Sequence, residues 1–341
     1  MSRRTKAFVV ALLVLADRGS FVLGQEVQTG SLVTAETDVA VEKGIEYLSS
    51  RQNNDGSFGG AGYSRNVGVV SLAGMAFLVN GSTPGRGLHG TEIDRCVQYV
   101  LRQSQPSGFI SNAQSSSHGP MYGHGFATLF LAETYGMSQE EGIREKLTKA
   151  VQLIINTQND EGGWRYRPQK QDADISVTIC QIMALRAARN AGIYVPNDTV
   201  QRCVAYVQKC QNADGGFRYT ADAGPSAYHR SAAGVVALFS AGIYEGEHVN
   251  NGLRYLATFQ AGNPDRNREG HYSYGNYYAA QAMWQAGGEY WQQWYPGIRD
   301  ELLERQQRDG AWLDSVCPEY GTAMAVIVLQ LPNRALPIFQ R

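Results

Sequence analysis

The pattern Gln-x5-[Phe/Trp], with glycine at or just before the aromatic, recurs along this chain. Copies run Gln52–Phe58, Gln103–Phe109, Gln158–Trp164, Gln211–Phe217 and Gln306–Trp312, and a degenerate one starts at Gln260 and reaches Tyr272 after a longer insert. The period is about 50 residues, room for two helices and two turns per unit. A unit of that size cannot bury an apolar face alone, so six consecutive units must pack on one another.

Two kinds of helix alternate within the period. The segment before each Gln is amphipathic: Val200, Cys203, Val204 and Val207 fall at i, i+3, i+4 and i+7, with Gln201, Arg202, Gln208 and Lys209 opposite. Ile143, Leu147, Ala150, Val151 and Ile154 form the same stripe, behind Ser138 and Glu141 spaced as a capping box. The segment after each aromatic is apolar nearly all round and rich in small residues, as in Val67 to Leu78 and Ile175 to Ala188. Six dry helices alternating with six half-wet ones predict an all-α fold, an (α/α)6 toroid of two-helix repeats in two concentric rings. The expected division is a leader over 1–24, a linker over 25–37, the toroid over 38–331 and a tail over 332–341.

The repeat element itself reads as structural. The Gln amide can bond free backbone groups at a helix end, glycine permits a tight reversal, and the aromatic wedges between helices.

The first 24 residues resemble an export signal. Arg3, Arg4 and Lys6 precede an apolar run from Ala7 to Ala16, and Val22-Leu23-Gly24 offers small residues at the cleavage spacing. The expected location is therefore periplasmic or extracellular. The run is too short to span a bilayer. Lys and Arg total 30 against 31 Asp and Glu, and no basic stripe marks a nucleic-acid partner. Cys96, Cys180, Cys203, Cys210 and Cys317 form no CxxC pair. Cys203 and Cys210, seven apart on a helix, stand about 10.5 Å apart, too far for a disulfide, so buried free thiols are expected.

The repeat number and the D-G-[GSA]-[FW] turns closely resemble those of the terpenoid cyclase and protein prenyltransferase superfamily, in particular its prenyltransferase/squalene oxidase repeats. The resemblance implies an α/α toroid with an apolar central cavity and reactive groups at one mouth; function does not follow from the toroid alone. Triterpene cyclases protonate an alkene or epoxide with the Asp of a D-x-D-D-T-A-like segment. The similar segment here is Asp172-Ala173-Asp174-Ile175-Ser176. It places Asp174 at the acid, Ile175 where a supporting Asp is needed, and Ser176 at the Thr. Protein prenyltransferases bind zinc through Asp, Cys and His. Asp174 and the Tyr228-His229 pair resemble that pattern, but Ser176 replaces the Cys, so no metal and no cofactor are expected. Complement-type thioester chemistry is excluded, since no Cys-Gly-Glu-Gln tetrad occurs.

Candidate catalytic residues are therefore Asp174, His124 (between two glycines) and His229. Candidate ligand-binding residues are Tyr122, Asp172, Ser176, Tyr228, Tyr274, Tyr277, Tyr278 and Glu319, all at or near inner-helix starts. In a closed toroid the inner helices run parallel, so those starts meet at one mouth, where helix N-termini should lower the Asp174 pKa. The favoured reading is a toroid binding an apolar, isoprenoid-like small molecule; an enzyme of this kind would be terpene cyclase-, mutase- or prenyltransferase-like. The alternatives are a non-catalytic binding module, which leaves room for a protein partner, and an (α/α)-barrel polysaccharide enzyme, which needs paired carboxylates and finds only Asp174 and Glu319.

Overall fold

The computed structural model describes residues 32–341 apart from 260, 262, 264, 265, 267–269, 334 and 341. The expected leader lies outside the described residues. Twelve α-helices follow one another with no named strand among the described residues: α1 Ala35–Arg51, α2 Val67–Val79, α3 Gly90–Arg102, α4 Pro120–Tyr135, α5 Ile143–Thr157, α6 Ile175–Asn190, α7 Asn197–Lys209, α8 Tyr228–Ser240, α9 Glu247–Ala257, α10 Tyr272–Ala286, α11 Gly288–Arg305 and α12 Pro318–Gln330. No described helix is long and apolar enough to cross a membrane. The even-numbered helices each contact the next, and α12 contacts α2, closing an inner ring. The odd-numbered helices pack outside them. Burial follows the sequence pattern: every residue of α2 and of α8 is buried, but only four of the eleven in α9.

The repeat turns are built alike. Gly56, Gly108, Gly162, Gly215 and Gly310 all have φ between 85° and 100°, and a Cβ on any of them would fall 2.1–2.5 Å from a carbonyl oxygen of the next outer helix. Only glycine serves where both the backbone conformation and the space exclude a side chain. Two residues on stands a buried wedge: Phe58, Ile110, Trp164, Phe217 and Trp312. The second unit thus differs from the sequence reading. Its wedge is Ile110 and not the half-buried Phe109, and its register starts at Ser104 and not at Gln103.

In the other four turns the Gln Nε2 donates to a carbonyl of the next outer helix, Gln52 to Glu92, Gln158 to Thr199, Gln211 to His248 and Gln306 to Ala40, at 2.8–2.9 Å. The last of these bonds ties α11 to α1 and closes the outer ring. The indole N–H groups of Trp164 and Trp312 donate to Ile154 and Leu302 carbonyls, both at 2.7 Å. The degenerate unit departs: Gly270 has φ 73° but no atom within 4 Å of its would-be Cβ, and Tyr272 opens α10. The Ser138–Glu141 box does not form. α5 begins after Gly142 at φ 80°, and Ser138 accepts the Glu140 N–H instead. All five cysteines are buried and free.

The tail after α12 packs against the far end of the inner ring. Leu336, Ile338 and Phe339 are buried, Phe339 meets Tyr277 edge-on, and Arg186 of α6 donates to the Gln340 carbonyl at 2.6 Å.

Candidate functional site

A cavity of about 450 Å³ opens at the N-terminal ends of the inner helices, and all six line it. α2 brings Gly68 and Val69, α4 Tyr122 and Phe126, α6 Ser176, α8 His229 and Arg230, α10 Tyr274, and α12 Tyr320. The turns before the helices add Tyr63, His118, Tyr166, Tyr219, His271 and Asp314. The walls are rich in aromatic rings, and polar groups cluster on the α8–α10 side as well as before α2, α4 and α12. On the α8–α10 side two imidazoles meet. There the His229 and His271 rings stand 4.7 Å apart, with Tyr274 6.4 Å from His229. Burial, then His271 and Arg230, pushes the His229 pKa down to about 3, so it is neutral at physiological pH.

Asp174 does not line this cavity. It is fully buried and N-caps α6, Oδ1 accepting the Val177 N–H at 2.9 Å. Its Oδ2 faces Arg165 Nε at 3.5 Å and accepts from the Tyr219 hydroxyl at 3.4 Å. Tyr219 in turn shares a short hydrogen bond with the Tyr166 hydroxyl. The Arg165 guanidinium lies over both phenol rings, 4.7 Å from Tyr166 and 5.2 Å from Tyr219, and also pairs with Asp172 at 3.2 Å. Burial raises the Asp174 pKa to about 6 against the lowering effects of Val177 and Arg165. The expected depression is therefore overturned: withdrawal from water outweighs the helix terminus.

Four of the candidate residues line the cavity: Tyr122, Ser176, His229 and Tyr274. The others have different places. His124 is buried outside it, Nδ1 accepting the Ile110 N–H at 3.1 Å and the ring tilted against Phe109. It occupies the role that Thr178, Ser231 and Thr322 play for the N–H of Trp164, Phe217 and Trp312, and burial lowers its pKa to about 4. Its flanking glycines do not expose it; they admit close contact, since Cβ atoms there would meet Val67 and Cys180 at 2.9 Å. Tyr228 points between helices, donating to Asn276 Oδ1 at 3.0 Å under the Arg266 guanidinium. Glu319 is buried against Arg51 at 3.3 Å. Asp172 is exposed on Arg165. Tyr277 and Tyr278 lie behind the wall, Tyr278 4.8 Å from Tyr274 and Tyr277 6.2 Å from Phe126. No group of three or more potential metal ligands is gathered among the described residues.

Sequence reasoning missed Tyr166, Tyr219 and Arg230 as wall residues. The sequence signal for the first two is the repeated Trp164-Arg165-Tyr166 and Phe217-Arg218-Tyr219. The two arginines differ in use. Arg218 bonds turn carbonyls, donating to Ala221 at 2.9 Å, whereas Arg165 backs the cavity wall.

Residues 27–173 match the prenyltransferase alpha-alpha toroid domain family, and residues 127–278 the squalene-hopene cyclase C-terminal domain family. Drimenyl diphosphate synthases from Streptomyces showdoensis and Streptantibioticus cattleyicolor are 27% and 26% identical over 189 and 191 residues. Those matches cover 54% of this chain and 33% and 34% of the relatives, so the chain spans about a third of their length. A type II terpene cyclase from Scytonema, solved with its product merosterolic acid A, superposes with a TM-score of 0.63 at 13% identity, covering 92% of this chain and 100% of its own. Cellobiose 2-epimerase from Bacillus thermoamylovorans reaches 0.63 at 10% identity, covering 88% and 98%. At such identities the likeness speaks for the toroid alone.

Proposed function

For a chain that belongs to the terpenoid cyclase and protein prenyltransferase superfamily, we propose that the cavity at the inner-helix N-termini binds an apolar, isoprenoid-type ligand. The carrying observation is one aromatic-walled space of about 450 Å³ lined by all six inner helices, within the roughly 300–1,000 Å³ of small-molecule sites. The substrate bound by the Scytonema enzyme, geranylgeranyl dihydroxybenzoate, and the likeness to drimenyl diphosphate synthases support an isoprenoid.

Binding is favoured over cyclisation on the chemistry of Asp174. Protonating an alkene needs a neutral, strong acid touching it. Asp174 is separated from the cavity by phenols, and with a pKa of about 6 it is mostly ionised at pH 7. The polysaccharide reading loses its carboxylate pair: Asp174 and Glu319 are both buried away from the cavity, and Asp314 is the acid on its wall.

Farnesol or geranylgeraniol titrated into the full chain should give saturable one-to-one binding by intrinsic fluorescence. Val69→Phe, which fills the cavity, should abolish it while unfolding stays cooperative. Failure of both alcohols to bind, with cellobiose binding instead, would overturn the reading. Export is proposed alongside it. A secreted product whose intact mass begins at Gln25 is expected, and a product retained in the cytoplasm with residues 1–24 intact would sink that part.

A further inference from the structure

The hydroxyl chain from Asp174 through Tyr219 to Tyr166 has a direction. An ionised carboxylate only accepts hydrogen bonds, and a phenol has a single proton to donate. Around Asp174, Val177 N–H, Arg165 Nε and the Tyr219 hydroxyl are all donors or positive, and Arg165 balances the charge. Tyr219 therefore spends its proton on the carboxylate, the stronger of its two acceptors. Tyr166, bonded to the same Tyr219 oxygen, must spend its own proton on Tyr219. The chain then ends in oxygen lone pairs on two tyrosines that line the cavity. Tyr274 repeats the arrangement on α10: its hydroxyl donates to the Ser176 carbonyl at 3.0 Å, leaving lone pairs at another part of the wall. Among the described residues no partner takes the hydroxyl of Tyr122 or Tyr320, and those two can turn either way. Among these wall phenols, direction is fixed at the chain and at Tyr274.

We propose that the Asp174–Tyr219–Tyr166 chain is a directional acceptor that makes the cavity select an isoprenoid alcohol, through its O–H donor, over the corresponding ether or ester. The inference rests on the cavity reading above and adds the polarity of the ligand's head. An ether oxygen brought to the same place meets lone pairs and loses the hydration it had in water, with nothing in return. Arg165 behind the phenols and Arg230 in the same cavity favour the neutral alcohol over an ammonium.

The test compares farnesol with farnesyl methyl ether on the full chain at pH 8, where Asp174 is ionised. The alcohol should bind about tenfold more tightly, the worth of one hydrogen bond kept against one lost. Two variants separate this from size, because the ether is one methyl larger. Tyr166→Phe should reduce the preference by weakening the alcohol, which keeps only the Tyr219 oxygen as acceptor, leaving ether affinity unchanged. Asp174→Asn should erase it from the other side. Asn still caps α6 but presents an N–H₂ to Tyr219, so the chain can reverse and donate from Tyr166 to the ether, whose affinity rises. Tyr219→Phe, which breaks the chain, serves where Tyr166→Phe fails to fold. Equal wild-type affinity for alcohol and ether overturns the inference while the cavity reading stands. Absence of binding by either ligand overturns the cavity reading and the inference with it. A preference that stays at its wild-type size in Tyr166→Phe and in Asp174→Asn also overturns the inference.

Discussion

The repeat turns and the inner-helix starts lie next to each other in sequence and could not be more different in uniformity. Five turns share a left-handed glycine on which a Cβ would fall 2.1–2.5 Å from a carbonyl oxygen, and a buried wedge two residues on. The six residues that precede the inner helices share nothing: Asn66, Gly119, Asp174, Ala227, His271 and Cys317. Uniformity has a mechanical cause, because each turn solves one problem, the reversal from an outer to an inner helix over the next outer helix. The starts are relieved of that task, and each inner helix brings different residues to a shared cavity. Recurrence of the turn glycine and wedge in this chain thus marks architecture, and the helix starts, which do not recur, carry much of the candidate site.

The sharpest way to break that division is Trp164→Ala. Its ring is buried and its indole N–H is bonded, so truncation should cost about 3–5 kcal/mol, read as a lower denaturation midpoint. A variant that melts like wild type but no longer binds farnesol would move the wedge from architecture to site. The register of the second unit gives the next largest contrast. Ile110→Ala should cost about 2–4 kcal/mol, and Phe109→Ala, half-buried beside His124, less than about 2 kcal/mol. The reverse order in urea denaturation would restore Gln103–Phe109 as the true repeat.

Those two residues also show how far the sequence could be read. The period, the alternation of wet and dry helices and the ring followed from spacing and burial pattern, because a repeat must satisfy the same packing each time. The one-residue shift in unit two escaped because Gln103 and Phe109 imitate the motif. Yet the offset was present: Gly108 directly precedes Phe109, whereas the turn glycines Gly56, Gly162, Gly215 and Gly310 stand two residues before their wedges. His124 escaped because glycines beside a side chain suggest exposure, and here they serve helix approach. The Asp174–Tyr219–Tyr166 chain joins two units, Tyr166 and Asp174 in one and Tyr219 in the next, and no local pattern announces which hydroxyls meet. Asp174 also tests the balance of burial against helix terminus. A carboxyl whose folded pKa is raised to about 6 from 3.8 binds more protons folded than unfolded in that window. Its contribution is fully present below pH 4 and is lost as pH rises through 6, up to about 3 kcal/mol. His124 and His229, whose pKa values burial lowers, act in the opposite sense, so the wild-type curve alone does not isolate Asp174. The difference between wild type and Asp174→Asn does: the variant should gain stability relative to wild type as pH rises from 4 to 7. A flat difference would mean that Arg165 and the Val177 N–H balance burial, and a loss with rising pH that they outweigh it.

The smallest effect belongs to a single start. Tyr274 stands where the α10 wall meets α6, its hydroxyl on the Ser176 carbonyl and its ring on Tyr278 at 4.8 Å. Phe keeps the ring and removes one hydrogen bond, so Tyr274→Phe should cost about 0.5–1.5 kcal/mol in stability, well under the cost of any wedge. Farnesol loses one of several acceptor oxygens on the wall, since Tyr166 and Tyr219 keep theirs. The expected change in its affinity is less than about threefold. Thermal unfolding and ligand titration on the same preparation read both numbers. A stability loss as large as that of Trp164→Ala would show that inner-helix starts carry the ring as the turns do, and the division between uniform architecture and divergent site would fail at the residue where it is most exposed to test.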